Sequence, residues 1–274
     1  MVIISKIEQQ KNNRERYNIY LAGENNENNF FAGVHQDIII QHNLYKGLNI
    51  DQQDLQEVII KDHIHKGFQK ALKYLTARMK TCSEVATYLR RYEYDDDAIA
   101  MILAKLAKYR YVDDQLYAES YVKEHVNIGS KGPILIRINL QKKGVDIKTI
   151  EHALLPYTYE LQLDNAMSFI QKKFSLRKRK SELDFKNTIS QQLASHGFSY
   201  DIIETAISQY VNANSSDVSS AINYQGMKAH KKYAKLDSRE YIIAMKKALY
   251  TKGFKEEDIT SFLNSLNEIK KFDM

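Results

Sequence analysis

The residues best suited to chemistry in this sequence are cations. Lys172 and Lys173 form one pair, Arg177, Lys178, Arg179 and Lys180 a run of four, and Lys228, Lys231, Lys232 and Lys235 a third cluster. Clusters of this kind contact phosphates by displacing condensed counterions. Lys131 and Arg137 complete the set expected to touch nucleic acid or an anionic partner. A charge run also serves as an ordinary solvated face, so the clusters alone leave both readings open. Tyr109, Tyr111, Tyr117 and Tyr121, four of the 19 tyrosines, have the type needed to stack bases. At helical spacing they read more readily as half-buried core.

Catalytic patterns are missing. The chain has no Gly-x-x-x-x-Gly-Lys-Ser/Thr loop, no Gly-x-Gly-x-x-Gly and no Gly-x-Ser-x-Gly elbow. Gly129-Ser-Lys-Gly132 lacks the preceding strand of a phosphate loop and reads as a connection between helices. His63 and His65 are two apart, which on a helix sends them to different faces and argues against a shared metal. Asp95, Asp96, Asp97, Asp113 and Asp114 fall at expected helix starts, where carboxylates cap and offset the dipole. Cys82, the one cysteine, excludes an internal disulfide and reads as structural. The expectation is a protein that is not an enzyme and needs no cofactor or metal.

The elements that must position these groups are mostly helical. The chain has 274 residues and 43% apolar content, with only 10 glycines and 2 prolines, too few for many tight hairpins. The net charge of +6 is uneven. Residues 1–60 carry 5 basic against 8 acidic groups, residues 61–130 carry 12 against 10, and residues 131–274 carry 23 against 16. A cationic C-terminal half suits a polyanion or an acidic protein surface. No apolar run approaches a membrane span, and the start turns polar too soon for a signal peptide. A cytoplasmic location is expected.

Residues 1–50 read as a small antiparallel β domain. Val2–Ile4, Tyr17–Leu21, Phe30–Val34 and Ile38–Ile40 are short β-rich runs, separated by turn chemistry such as residues 23–29. From Asp51 the apolar period becomes helical, and a helix is expected over residues 68–79.

An internal repeat follows. Leu140-Gln-Lys-Lys-Gly144-Val145, Leu193-Ala-Ser-His-Gly197-Phe198 and Leu249-Tyr-Thr-Lys-Gly253-Phe254 share Leu-x-x-x-Gly-apolar, and Ile150, Ile203 and Ile259 each lie six residues after the glycine. A fourth copy, Leu89-Arg-Arg-Tyr-Glu93-Tyr94 with Ile99, has glutamate in the glycine slot. The physical reading is a helix–turn–helix corner with the glycine in the left-handed region and Asp95, Asp146 or Ser199 capping the next helix. Thr81-Cys-Ser-Glu84 offers a capping box, Pro133 a tolerated first helical position, and Asp237 a further cap. The spacing predicts tandem three-helix repeats, a mainly α fold in a curved elongated array, divided as 51–108 (linker helix and first repeat), 109–156, 157–213 and 214–274.

Three segments resemble the RecX regulators of the bacterial RecA recombinase. Ala71-Leu-x-Tyr-Leu75-x-x-Arg78-x-Lys80-Thr81-x-x-Glu84-Val85 is similar to that family's opening signature. Tyr111-Val-Asp-Asp114-x-Leu-Tyr-Ala118-x-x-Tyr121-Val122 is similar to its Asp-Asp segment, and Lys131-Gly-Pro133-x-x-Ile136-x-x-x-Leu140-x-x-Lys143-Gly144 to its third signature. The likeness covers roughly residues 70–272, and the β-rich start resembles the extension of longer Gram-positive members. Lys80-Thr81, Tyr109 and Asn139 depart from the commoner family residues. The resemblance implies a non-catalytic regulator that binds recombinase filaments on DNA and modulates strand exchange and ATP turnover in DNA repair and the SOS response, with inhibition the favoured sense over stimulation. The cationic half adds the expectation of weak, salt-dependent binding to single- and double-stranded DNA by a monomer. A helix-turn-helix DNA-binding regulator and a plain helical scaffold remain as alternatives.

Overall fold

The computed structural model describes residues 1–23, 27–173, 179–213 and 218–272. The chain opens with β1 (Val2–Gln10), β2 (Asn13–Ala22), β3 (Asn28–His35), the short helix α1 (Gln36–Gln41) and β4 (Asn49–Ile50). The strands form one antiparallel sheet in the order β3-β2-β1-β4, with Ile7 opposite Ile19 and Tyr17 opposite Val34. Alternation sends Ile4, Ile19 and Val34 to one face, where they are buried with Ile38, Ile50, Leu55 and Val58.

Helices follow in threes. The first set is α2 (Gln52–Leu75), α3 (Cys82–Arg90) and α4 (Asp96–Lys108); the second is α5 (Asp114–Ile128), α6 (Pro133–Lys142) and α7 (Ile147–Leu154). The third is α8 (Tyr159–Lys172), α9 (Glu182–Ser195) and α10 (Tyr200–Ala213), and the fourth α11 (Val218–Tyr233), α12 (Ser238–Thr251) and α13 (Glu256–Phe272). The expected fold, a small antiparallel sheet followed by tandem three-helix repeats, is the one observed. The chain separates into two compact units, residues 1–117 with 143–145, and residues 118–142 with 146 onward.

Two local expectations are corrected. Ile38–Ile40 is helical, not a strand. His35 caps α1, its Nδ1 accepting the Asp37 N–H at 3.2 Å, and only Ile38 of the three isoleucines is buried. Three consecutive β-branched residues resemble a strand, but the cap and a single inward side chain per turn override that propensity. The helix expected over 68–79 spans Gln52–Leu75, so Met79 lies outside it and the residues before Phe68 within it. Gly67, in its middle, lies so close to Tyr94 and Ile102 that a Cβ there would overlap both side chains. The glycine marks a close approach of α2 to α4, not a break.

The corners behave as their residue types require. Phe198 N–H donates to Leu193 O at 3.1 Å and Gly197 N–H to Ala194 O at 2.9 Å, the paired bonds of a left-handed helix end. Gly144, Gly197 and Gly253 have φ of +77°, +84° and +80°, and Glu93 in the same slot has +63°. Ile99, Ile150, Ile203 and Ile259, six residues beyond each slot, are all buried. Asp95, Asp146 and Asp237 cap their helices, and the Thr81–Glu84 box is closed in both directions. Asp113 accepts from Leu116 N–H at 2.9 Å and Asp114 from Cys82 N–H at 2.8 Å. Burial first, then the Asp114 carboxylate, pushes the Cys82 thiol up to about 11, so it stays protonated and unreactive. His63 stacks on Tyr94 while His65 stacks on His35, which places the two histidines on different faces of α2.

One docking arrangement recurs between successive repeats. The N-cap hydroxyl of a middle helix donates to the carbonyl preceding the next repeat's corner glycine: Thr81 Oγ1 to Lys143 O at 2.7 Å, and Ser181 Oγ to Lys252 O. Between the second and third repeats Gly132, whose own N–H donates to His196 O at 2.8 Å, takes that place, and Ile134 N–H donates to Gly197 O at 3.1 Å. Lys143 adds an ion pair to Glu84 at 2.8 Å. Burial pushes the Glu84 carboxyl up, but the hydrogen bonds from Lys143 and the Thr81 N–H outweigh it and hold it below the usual range.

Candidate nucleic-acid interface

The cations singled out by sequence fall into engaged and free groups. Lys131 is engaged: its Nζ donates to Tyr121 OH at 2.8 Å and lies 3.1 Å from His125 Nε2, while its carbonyl accepts from Tyr157 OH. Burial, then the nearby Lys131 charge, pulls the His125 imidazole below its ordinary value. Arg137 makes a two-pronged pair with Glu151 at 2.6 and 3.0 Å, which raises the guanidinium pKa further. Lys180 bonds Thr188 Oγ1 at 2.7 Å and Asp184 Oδ2 at 3.2 Å. Arg137 and Lys180 thus already have carboxylate partners, whereas Lys131 is held by a hydroxyl and an imidazole nitrogen.

Lys172 and Lys173 close α8. Lys172 is exposed, and Lys173 Nζ lies 5.8 Å above the Phe169 ring. Arg177 and Lys178 lie outside the described residues. Arg179 is exposed and sits over the Tyr224 ring at 5.4 Å.

The group free of carboxylate partners among the described residues is on α11, where Lys232 Nζ rests 5.1 Å over the Tyr233 ring. Lys228, Lys231 and Lys232 are exposed at i, i+3 and i+4, and Lys235 continues just past the helix end. Among the described residues none of the four lies within ion-pair distance of a carboxylate. Helical rise places Lys231 about 4.5 Å and Lys232 about 6 Å from Lys228 along the axis, and the C-terminal end of a helix favours positive charge. Tyr224, one turn before Lys228 and 47% exposed, extends the same face with a ring already touched by Arg179. It was missed in the sequence, although Tyr-x-x-x-Lys-x-x-Lys-Lys is a readable helical stripe. A cationic row ending in an aromatic ring can follow a phosphate backbone and stack one base.

The tyrosines named as half-buried core divide differently. Tyr109 and Tyr111 are more than half exposed, and their rings meet Phe68 at 6.2 and 6.3 Å between centroids, tilted in the first pair and edge-on in the second. They lie in the connection after α4, not on one helical stripe, and this removes the periodicity argument. Tyr117 and Tyr121 are half-buried as expected.

Comparison with known proteins agrees with the architecture. Residues 2–51 match the family described as the regulatory protein RecX N-terminal domain, and residues 68–106, 113–154 and 160–207 match the first, second and third RecX three-helix domains. A regulatory protein RecX of Bacillus cytotoxicus is 37% identical over 265 residues, covering 96% of this chain and 97% of its own. One from Bacillus mycoides is 35% identical over 270 residues, 98% of this chain and 99% of the relative. A crystal structure of a regulatory protein RecX superposes with a TM-score of 0.64 at 32% identity, over 75% of this chain and 98% of that one. RecX from Lactobacillus salivarius gives 0.51 at 38% identity, over 56% and 99%. With its sheet domain and its first three sets of helices all matched in order, the chain belongs to the RecX family of regulatory proteins.

Proposed function

We propose that this protein regulates a RecA-type recombinase by binding its filament on DNA, and that it does so as an inhibitor, without catalysis of its own. Family membership supports the regulatory role. The single observation that carries the nucleic-acid part is the exposed row Lys228, Lys231 and Lys232 on α11, continued by Lys235, with no ion pair to a carboxylate among the described residues. Several three-helix repeats, each making weak contacts, would bind by avidity, so modest affinity at one repeat becomes substantial over the chain. The working divisions are 1–50, 51–108, 109–156, 157–213 and 214–274, in a monomer that acts in the cytoplasm.

The test is binding to recombinase–DNA filaments and to bare DNA at several salt concentrations. Replacing Lys228, Lys231 and Lys232 by Ala should flatten the slope of log K against log salt by about 2–3 units, since each phosphate contact contributes about 0.7–0.9. Arg137→Gln breaks a pair internal to the protein and should leave that slope unchanged. If the triple variant keeps the wild-type slope on DNA and on filaments, the row is a solvated face. Filament binding that persists without any DNA affinity would favour a protein-only contact. Preference for one duplex sequence would favour the helix-turn-helix reading.

A further inference from the structure

A second cationic feature lies far from that row in sequence and differs from it in kind, because it is a cleft. Ile38 and Gln41 of α1, Lys61, Ile64 and His65 of α2, and Ala104, Lys105 and Lys108 of α4, with Tyr109 at its C-cap, enclose a volume of about 450 Å³. Three lysines and a histidine line it, and no carboxylate does. Lys61 reaches Glu57 at 2.6 Å, and Lys105 rests 4.6 Å over the Phe68 ring. Lys108 is exposed, with no ion pair among the described residues.

Lysines in the last turn of α4 have an ordinary role in offsetting the helix dipole. That role does not explain why Gln41 and His65, from two other helices, converge on the same space. His65 is 6% exposed and stacks on His35, and its Nε2 lies 3.5 Å from Gln69 Nε2, the outer limit of a hydrogen bond. Burial lowers its affinity for a proton, and the neighbouring His35 and Lys105 lower it further, against smaller opposing effects from Asp37 and Asp62. An anion in the cleft would relieve that repulsion. The rest of the lining is apolar or aromatic: Ile38, Ile64, Ala104 and the Tyr109 ring, 56% exposed. A bare phosphate would fill a small part of this volume, which falls within the range of small-molecule sites. Three lysines, with apolar and aromatic residues lining the same cleft, suit a phosphate carrying a planar ring.

We propose that this cleft binds a nucleoside monophosphate, with the phosphate against Lys105 and Lys108 and the base against Tyr109, Ile38 and Ile64. The proposal goes beyond the recombinase reading and does not depend on it. The test is calorimetric titration of the full chain with adenosine monophosphate, with orthophosphate and adenosine as separate arms. Adenosine monophosphate should saturate one site, and each fragment should bind at least about 10-fold more weakly. Lys105→Gln with Lys108→Gln should weaken binding about 10-fold or more at unchanged helicity, because charge-assisted hydrogen bonds are lost. The single Lys108→Glu, at an exposed position, should do the same should the double variant fold poorly. In nuclear magnetic resonance the His65 imidazole should titrate at higher pH with the nucleotide bound. A short single strand with a 5′-phosphate, compared with the same strand lacking it, separates a strand end from a free nucleotide as the source of this chemistry. No saturation by about 10 mM, unchanged affinity in the variants, or orthophosphate binding as tightly as the nucleotide would each overturn the assignment.

Discussion

Four corners of this protein turn the chain in the same way, yet three carry glycine and one carries glutamate. Glu93 has φ +63° and Gly197 has φ +84°, so the left-handed turn itself does not separate them. What separates them is what lies against the corner. A Cβ at Gly197 would meet Leu135 N at 2.2 Å, and one at Gly144 would meet Ser83 Cβ at 2.3 Å. Those contacts are with the first turn of the preceding repeat's middle helix. Glu93 belongs to the first repeat, with no three-helix set before it, and its side chain is exposed. Glycine in this family of corners is therefore demanded more by docking than by backbone angle. A non-glycine residue pays roughly 1 kcal/mol for a left-handed conformation, which a corner can absorb. Overlap with a neighbouring backbone it cannot.

The sharpest way to break that contrast is Gly197→Ala. The new methyl would carry the left-handed penalty and strike main-chain atoms of Leu135, which cannot move without breaking the Ile134 N–H to Gly197 O bond. Overpacking of about 1–3 kcal/mol adds to the conformational cost, for an expected loss of about 2–4 kcal/mol, towards the upper end because main-chain atoms are struck. Urea unfolding followed by circular dichroism measures it. A loss no greater than about 1 kcal/mol would mean that the backbone angle alone, and not docking, calls for glycine.

Gly144→Ala should cost less, about 2–3 kcal/mol, because the clash is with a side chain. Removing that side chain should restore part of the loss, so Gly144→Ala with Ser83→Gly tests the contact directly. After allowance for the cost of glycine in the first turn of a helix, the pair should couple by about 1 kcal/mol in a double-mutant cycle. Strict additivity would show that Ser83 does not press on the corner.

The corner and its contact partner differ in how readable they are. Leu-x-x-x-Gly-apolar recurs because each corner solves the same local problem, and local problems repeat in sequence. The partners sit about 60–70 residues earlier and differ in kind, Ser83 against Leu135 and Leu183. Only the fold brings them into register, so no pattern announces them. The cations show the same limit. Lys180 could have been paired with Asp184 from their i, i+4 spacing alone. Lys131 could not have been assigned to Tyr121 and His125, since those partners require the turn between α5 and α6 to fold back. Ile38–Ile40 failed for a third reason. Its β-branched run carried a real propensity, and the His35 cap that overrides it is an uncommon residue for the role.

Glu93→Gly is the smallest expected effect and the strictest test of the comparison. Glycine would remove the left-handed strain at φ +63°, gaining about 1 kcal/mol. It would also enlarge the conformational freedom of the unfolded chain, costing about 0.4–1 kcal/mol. The two nearly cancel, and the exposed carboxylate adds no ion pair among the described residues. Net stability should therefore change by no more than about 0.5 kcal/mol in the same urea experiment. Glu93→Ala keeps a Cβ and should be equally mild, whereas alanine at Gly197 is severe. If alanine at position 93 cost as much as alanine at 197, the first corner would have to be pressed by a neighbour as the others are, and the distinction between undocked and docked corners would fail.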